Sequence, residues 1–153
     1  MWQGALLDIH TTPKARAPMV AQQTAELVAG LGITGDRYAL RTGTYSQIPD
    51  VREVTLIETE TLEALLRDHQ IDLPPDQTRR NLRTEGVPLN HLVGKRFRVG
   101  AVLLEGGRLN FPCKYLDLVT GLSVCDLLTH RSGLNCRIIE SGEIRAGDPI
   151  TPI

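Results

Sequence analysis

The residue best suited to chemistry in this sequence is Cys113, which follows Pro112 at the end of a run with strand-forming character. Proline has no backbone N–H and interrupts a β-ladder, so the next side chain can project from the end of the strand. Lys114 places a cation beside the sulfur, and a nearby positive charge favours the thiolate, which attacks sulfur and binds soft metals. A buried cysteine that packs as a small hydrophobic residue fits the local sequence equally well.

The other two cysteines are more typical of structure than of chemistry. Cys125 lies among apolar residues and Cys136 opens a strand-like run, so we expect both to be buried. Three cysteines cannot all pair within one chain, and neither a C-x-x-C pair nor a zinc-ligand spacing is present. The four histidines also lack metal-ligand spacing.

Three short basic segments are suited to an anionic ligand: Asp36-Arg37, Arg79-Arg80-Asn81 and a turn at Arg131. Arg37 can reach a phosphate, although an internal ion pair with Asp36 that staples the loop is the commoner use of such residues. Arg79 and Arg80 offer planar donor forks, and the amide of Asn81 can donate or accept. Because adjacent side chains diverge in a helix or strand, we expect only one of the two arginines to face a given site.

Composition and charge exclude several classes of function. The chain of 153 residues has 17 basic and 18 acidic residues, so no global field attracts nucleic acid or an anionic membrane, and any anion site must be local. Aromatic residues make up only 4%, which argues against a base-stacking platform. No phosphate-binding glycine loop or hydrolase nucleophile elbow occurs. Neither a signal-peptide pattern nor a membrane-spanning run is present, so we expect a cytoplasmic protein.

The elements that must position these residues are mainly short strands. Apolar runs separated by glycine and proline predict strands at residues 5–9, 54–57, 97–103 and 136–140. Gly106-Gly107 predicts a tight turn, and residues 19–31 fit either a helix or an extended run.

Helical signals are few. One clear helix is predicted by the helical spacing of Leu62, Leu65, Leu66 and His69. Pro74-Pro75 prevents its continuation. Residues 117–128 hold a weaker helical segment. The pattern predicts one domain over residues 1–153, mostly β, as a closed or partly closed barrel with a few short helices.

Taken in order, the motifs resemble the MOSC domain, named for the C-terminal domain of molybdenum-cofactor sulfurases. The matching segments are Gly32-Ile33-Thr34-Gly35-Asp36-Arg37-Tyr38, Val54-Thr55-Leu56-Ile57-Glu58, Arg79-Arg80-Asn81-Leu82, Leu92-Val93-Gly94, Phe97-Arg98-Val99-Gly100, Pro112-Cys113 and Gly142-Glu143-Ile144-Arg145-Ala146-Gly147-Asp148. Each is short, but together they follow the family order over nearly the whole chain. Tyr38 stands where many members have histidine, so a proton-transfer role there is not carried over.

The resemblance implies a barrel with a cysteine tied to sulfur or molybdenum chemistry, and Cys113 matches the family's key cysteine. It implies binding of the molybdenum cofactor, a molybdopterin with a phosphate tail, and some relatives use that cofactor to reduce N-hydroxylated substrates. Cys113 would be the molybdenum or sulfur ligand. The residues expected around the cofactor are Asp36, Arg37, Arg79, Arg80, Asn81 and Arg131.

Two alternatives stay open beside the cofactor-binding oxidoreductase. Cys113 could carry sulfur as a persulfide for metal–sulfur cofactor assembly, or the domain could have kept the barrel and lost the cofactor. The sequence shows no pyridoxal-phosphate domain and no iron–sulfur motif. We therefore expect no pyridoxal phosphate, and a separate partner: a sulfur donor such as a cysteine desulfurase, or an electron-donor protein.

Overall fold

The computed structural model describes all residues from 1 to 153 and consists mainly of β-strands. The strands are β1 (Gly4–Thr11), β2 (Val20–Gln22), β3 (Thr24–Val28), β4 (Gly32–Ile33), β5 (Val54–Glu58), β6 (Leu82–Glu85), β7 (Arg96–Val99), β8 (Val102–Leu109), β9 (Leu134–Glu140), β10 (Gly142–Arg145) and β11 (Pro149–Pro152). The α-helices are α1 (Arg37–Leu40), α2 (Thr59–His69) and α3 (Lys114–Thr120). Short 3-10 turns span Pro75–Thr78, Leu89–Leu92 and Asp126–Leu128.

Seven strands close into a barrel in the order β11, β7, β8, β9, β5, β6 and β1, and β1 pairs back with β11. Neighbouring strands run antiparallel except for the parallel pair β5 and β6. Strand β2 extends the sheet beside β1, and β10, β3 and β4 form a small second sheet. Closure leaves the barrel strands without free edges. The predicted mostly-β barrel with a few short helices is confirmed.

Two apolar clusters hold this framework together. The larger cluster contains side chains from all seven barrel strands, among them the fully buried Leu6, Leu56 and Phe97. Burying a side chain such as Phe97 contributes about 1.5–3 kcal/mol. The smaller cluster lies under the helices and joins Leu65 of α2 to Leu116 of α3. This second cluster matters for function because it holds α3, which begins one residue after Cys113.

Residues 20–28 are extended and residues 29–31 form a turn, which settles the open choice between helix and strand. The extended residues form β2 and β3, and Leu27 is fully buried where β3 pairs with β4 and β10. The predicted turn at Gly106-Gly107 is wrong, since both glycines lie inside β8. A side chain at Gly106 would clash with the carbonyl oxygen of Leu92, so glycine serves close packing here.

The predicted continuous strand over residues 97–103 is interrupted. Gly100 adopts a φ of 54° and Ala101 is exposed, so β7 and β8 form a hairpin around them. The predicted helix before Pro74 is confirmed as α2. The weaker helical segment, predicted over residues 117–128, is α3. It begins at Lys114 and ends where Gly121 takes a φ of 70°. No helix of the structure has both the length and the apolar character needed to cross a membrane.

Candidate functional site

Cys113 opens into a cavity of about 340 Å³. Segments far apart in sequence build its wall: residues 37–52, Arg79-Arg80 and residues 108–116. The volume falls within the range of small-molecule sites, about 300–1,000 Å³. The cysteine therefore faces a space that a ligand can enter.

The half-buried Cys113 is held in place by the start of α3. Its backbone is extended, with a φ of −139°, and its Sγ lies 3.7 Å from the hydroxyl oxygen of Tyr45. The helix is anchored by Leu116 in the smaller apolar cluster and by Asp117, whose Oδ1 accepts hydrogen bonds from the amides of residues 124 and 125. These contacts fix the sulfur at the cavity wall.

The other two cysteines are buried, as predicted, and burial raises the pKa of both Cys125 and Cys136. Lys114, which the sequence placed beside the sulfur, lies outside the cavity wall. Its side chain is 78% exposed, its Nζ lies 3.7 Å from Asp117 Oδ2, and it does not line the cavity. The cations that share the cavity with the sulfur are arginines.

Five of the 17 basic residues line the cavity, against one of the 18 acidic residues. The five are Arg37, Arg52, Arg79, Arg80 and Arg108, and the acid is Asp50. Asp50 pairs with Arg108 and Arg52, and the hydrogen bonds from Arg108 hold its pKa well below the usual range. The cavity is strongly positive in a chain whose net charge is −1. Such local charge attracts anions.

Arg79 and Arg80 both line the cavity, which corrects the expectation that only one would face it. Arg79 has a φ of 65° at the end of the 3-10 turn Pro75–Thr78, so the alternation of a regular strand or helix does not apply. Neither arginine forms an ion pair. Arg79 Nη1 donates to the carbonyl oxygen of Ala17 at 2.6 Å, and Arg80 Nε donates to that of Ser132 at 2.9 Å.

The charges of these two arginines are therefore not compensated by a carboxylate. Burial lowers the pKa of Arg80 to about 10 and also lowers that of Arg79, because a desolvated cation is less stable than a hydrated one. The Nε of Arg79 is buried and has no hydrogen-bond partner. An unpaired buried donor is uncommon in folded proteins, so it adds to the cost of placing this uncompensated cation beside the cavity.

Asp36 and Arg37 form the internal ion pair, with Arg37 Nη1 3.1 Å from Asp36 Oδ1. Asp36 is fully buried and also accepts hydrogen bonds from the amides of Thr12 and Tyr38. It does not line the cavity, so its expected place beside a cofactor is corrected. Arg37 has a double role, since it lines the cavity and its Nη2 donates to the carbonyl oxygen of Arg79 at 2.7 Å.

Asn81 and Arg131 lie outside the cavity, which corrects the expectation that they contact the ligand. Asn81 is fully buried; its Oδ1 accepts from the amide and hydroxyl of Thr55, and its Nδ2 donates to the carbonyl oxygen of His10. All its side-chain polar atoms are thus used to join β1, β5 and β6. Arg131 Nε donates to the carbonyl oxygen of Leu127 at 3.0 Å.

The sequence analysis missed several cavity residues: Tyr45, Asp50, Arg52, Arg108, Phe111 and Tyr115. All three tyrosines and one of the two phenylalanines line this one cavity. Arginines stack on these rings, with the guanidinium carbon of Arg37 4.1 Å from the ring centre of Tyr38 and that of Arg108 5.0 Å from Phe111. Arg108 lies in β8 and Tyr115 in α3, while the other four lie in loops, so no common spacing in the sequence marks the set. The one sequence hint is the nearness of Phe111 and Tyr115 to Cys113.

Comparison with solved structures shows the same fold in three bacterial proteins. The structure of YuaD from Bacillus subtilis has a TM-score of 0.79 at 16% sequence identity, covering 98% of this chain and 97% of that one. YiiM from Geobacillus stearothermophilus has a TM-score of 0.76 at 13% identity, covering 98% and 75%. YiiM from Escherichia coli has a TM-score of 0.73 at 21% identity, covering 99% and 69%.

No curated protein matches the sequence significantly. The family model of the MOSC domain does match it, over residues 44–151. The matched region contains Cys113, Arg79, Arg80 and most of the cavity wall. The predicted resemblance is confirmed, and this chain belongs to the MOSC domain family.

Proposed function

We propose that the chain binds a pterin-type molybdenum cofactor in the arginine cavity, with Cys113 as the molybdenum or sulfur ligand. The observation that carries this proposal is the meeting of a half-buried thiol with Arg79 and Arg80, two cations that have no carboxylate partner. A thiolate is a soft ligand and suits a metal–sulfur centre. The guanidinium groups suit a phosphate tail, because hydrogen bonds from a charged N–H to a phosphate oxygen are among the strongest in proteins.

The residues present fit such a group. Arg79 is held by the carbonyl oxygen of Ala17 and Arg80 by Ser132 and Asn110, so both charges are oriented before a ligand arrives. Arg37 holds the backbone of Arg79 in place, because its Nη2 donates to the carbonyl oxygen of Arg79. Preorganised donors lose little freedom on binding, which favours affinity.

The bound cofactor would supply a two-electron reduction, and an N-hydroxylated compound is the substrate class we propose. The chain's own residues bind and orient. The rings of Tyr38 and Phe111 provide flat apolar wall, while the arginines stacked on them keep that wall electropositive. An electron-donor protein would have to restore the reduced state.

The test is to produce the protein in a host that makes the cofactor and to measure bound molybdenum and pterin. We expect both in the wild-type protein, loss of molybdenum in Cys113→Ser, and loss of both in Arg79→Met and Arg80→Met. Arg131→Met, an arginine outside the cavity, and Cys125→Ser should retain both. Wild-type protein free of molybdenum and pterin, or a Cys113→Ser variant loaded to the wild-type level, would contradict the proposal.

A second candidate is a persulfide carrier, favoured by the exposure of Cys113 alone among the three cysteines. Its thiolate would attack the terminal sulfur of a desulfurase persulfide, forming a new S–S bond and releasing the thiol of the donor. Mass spectrometry after incubation with a cysteine desulfurase and cysteine should then show one added sulfur atom, absent from Cys113→Ser. No added mass would exclude the carrier function.

A further inference from the structure

Residues 43–52, which we call the strap, cross one side of the cavity between α1 and β5. The strap contains no helix or strand, and none of its residues is buried. It is held together mainly by its own bonds: the amide of Gly43 donates to Ser46 Oγ at 2.8 Å, and Arg52 Nη1 donates to carbonyl oxygens of the strap. It is therefore a unit of its own rather than part of the barrel core.

The strap makes few hydrogen bonds to the rest of the protein. Beyond the flanking Arg41, it has two such partners: Cys113, through the Tyr45 hydroxyl, and Arg108, through Asp50. A segment with little buried apolar surface and few outside bonds opens at a low free-energy cost. Two contacts therefore hold the strap to the rest of the protein, and we call them its fastenings. They are the contact of Tyr45 with the sulfur and the ion pair of Asp50 with Arg108.

Tyr45 lies both at the sulfur and at the protein surface. It lines the cavity, and the residue is 45% exposed, so the ring covers one side of the approach to the sulfur. The adjacent Ile48 also lines the cavity and is 60% exposed. A ligand that bonds to Cys113 Sγ must share or take the place that the Tyr45 hydroxyl occupies, 3.7 Å from the sulfur.

We propose that Tyr45 determines the size of what reaches Cys113, and that the strap opens as a unit when its fastening at Asp50 and Arg108 is released. This inference rests on the proposed function in one respect, that Cys113 is the sulfur that receives a ligand. Tyr45 is a positioning residue in this scheme. It admits small groups with the strap closed and large ones only with the strap open.

The test compares how fast Cys113 reacts with a small alkylating reagent, iodoacetamide, and with a bulky one, pyrenyl maleimide. Cys125 and Cys136 are buried, so the folded protein reports on Cys113, and Cys113→Ser provides the blank. We expect Tyr45→Ala to raise the ratio of the bulky to the small rate constant about tenfold, and Tyr45→Phe, which keeps the ring, to leave it within about twofold. Asp50→Asn should raise the ratio as well, because it removes the charge that Arg108 holds. Tyr115→Phe is the matched control, because Tyr115 lines the same cavity and its hydroxyl is hydrogen-bonded to the amide of Arg16 rather than to the sulfur.

The ratio separates a gate from an electronic effect. If Tyr45 acted only on the reactivity of the thiol, both rate constants would change by the same factor and the ratio would stay at the wild-type value. That result in Tyr45→Ala overturns the proposal, and an unchanged ratio in Asp50→Asn overturns the strap fastening. The assay uses protein without cofactor, so its failure is distinct from failure of the molybdenum and pterin measurements.

Discussion

Arg80 donates twice to Ser132, a residue 52 positions later in the chain: Nε to the carbonyl oxygen and Nη2 to Oγ, each at 2.9 Å. Arg80 Nη2 also donates to Asn110 Oδ1. All three acceptors are neutral, so the guanidinium is held in place without losing its charge. This relationship gives the cavity a fixed cation that no carboxylate neutralises.

The first prediction concerns anion binding by Arg80. Burial lowers the pKa of Arg80 to about 10, which means that its charged form at pH 7 is less stable than in the unfolded chain, and a bound anion would offset that cost. Pyrophosphate should raise the melting temperature of the wild-type protein and of Arg131→Met. In Arg80→Met we expect binding to weaken by about 1.5–3 kcal/mol, the worth of a charged hydrogen bond. Thermal unfolding at increasing pyrophosphate concentrations measures this, and an equal rise in Arg80→Met would contradict it.

The second prediction separates the structural role of Asn81 from ligand binding. Asn81→Ala leaves the buried Thr55 amide and His10 carbonyl without their side-chain partner, so it should destabilise the fold by about 2–4 kcal/mol. Asn90→Ala, which removes one exposed hydrogen bond to His130, should cost less than about 0.5 kcal/mol. Urea unfolding measures both. If Asn81→Ala lowered the free energy of unfolding no more than Asn90→Ala does, the buried hydrogen bonds of Asn81 would contribute little to stability.

The third prediction concerns pH and Glu58, which precedes α2. Burial, followed by repulsion from Glu60, raises the pKa of Glu58 to about 7. Because the folded pKa exceeds the unfolded one, the associated stability is present below about pH 4.5 and is lost as the pH rises through 7. As the pH rises from 5 to 8, the free energy of unfolding of Glu58→Gln should therefore increase relative to that of the wild type. We expect the increase to be about 1 kcal/mol after allowance for partial exposure.

The measurement for Glu58 is the free energy of unfolding in urea at the two pH values. Glu63→Gln, an exposed position on the same helix, is the control. If the difference between Glu58→Gln and wild type were the same at both pH values, the carboxyl of Glu58 would not titrate in this range.

The fourth prediction tests the close approach at Gly106. Gly106→Ala should destabilise the barrel by about 2 kcal/mol or more, because the added methyl group would clash with the backbone oxygen of Leu92 and the backbone cannot move freely. Gly142→Ala is the control, since its nearest neighbour is a side-chain atom, Cγ2 of Val102, at 3.2 Å. Equal melting temperatures for the two variants would show that β8 can shift to make room.

The family and the barrel could be predicted because they depend on local patterns and their order. Runs such as residues 54–57 consist of residues that favour strands, and the spacing before Pro74 indicates a helix. The turn predicted at Gly106-Gly107 was wrong because a local pattern does not report contacts with distant residues. A glycine pair looks the same whether it is needed for a turn or for the approach of a distant backbone oxygen.

By itself, the sequence determined the fold class and the family and singled out Cys113 as a candidate, because all three depend on residue types and their order. Only the tertiary structure decided which polar residues face that sulfur. It placed Arg79, Arg108 and Tyr45 around one cavity and used Asn81 inside the fold, although the sequence singled out Asn81 and not Arg108. The physical reason is that a side chain's direction depends on loop conformation, such as the φ of 65° at Arg79, and on contacts between residues far apart in the chain.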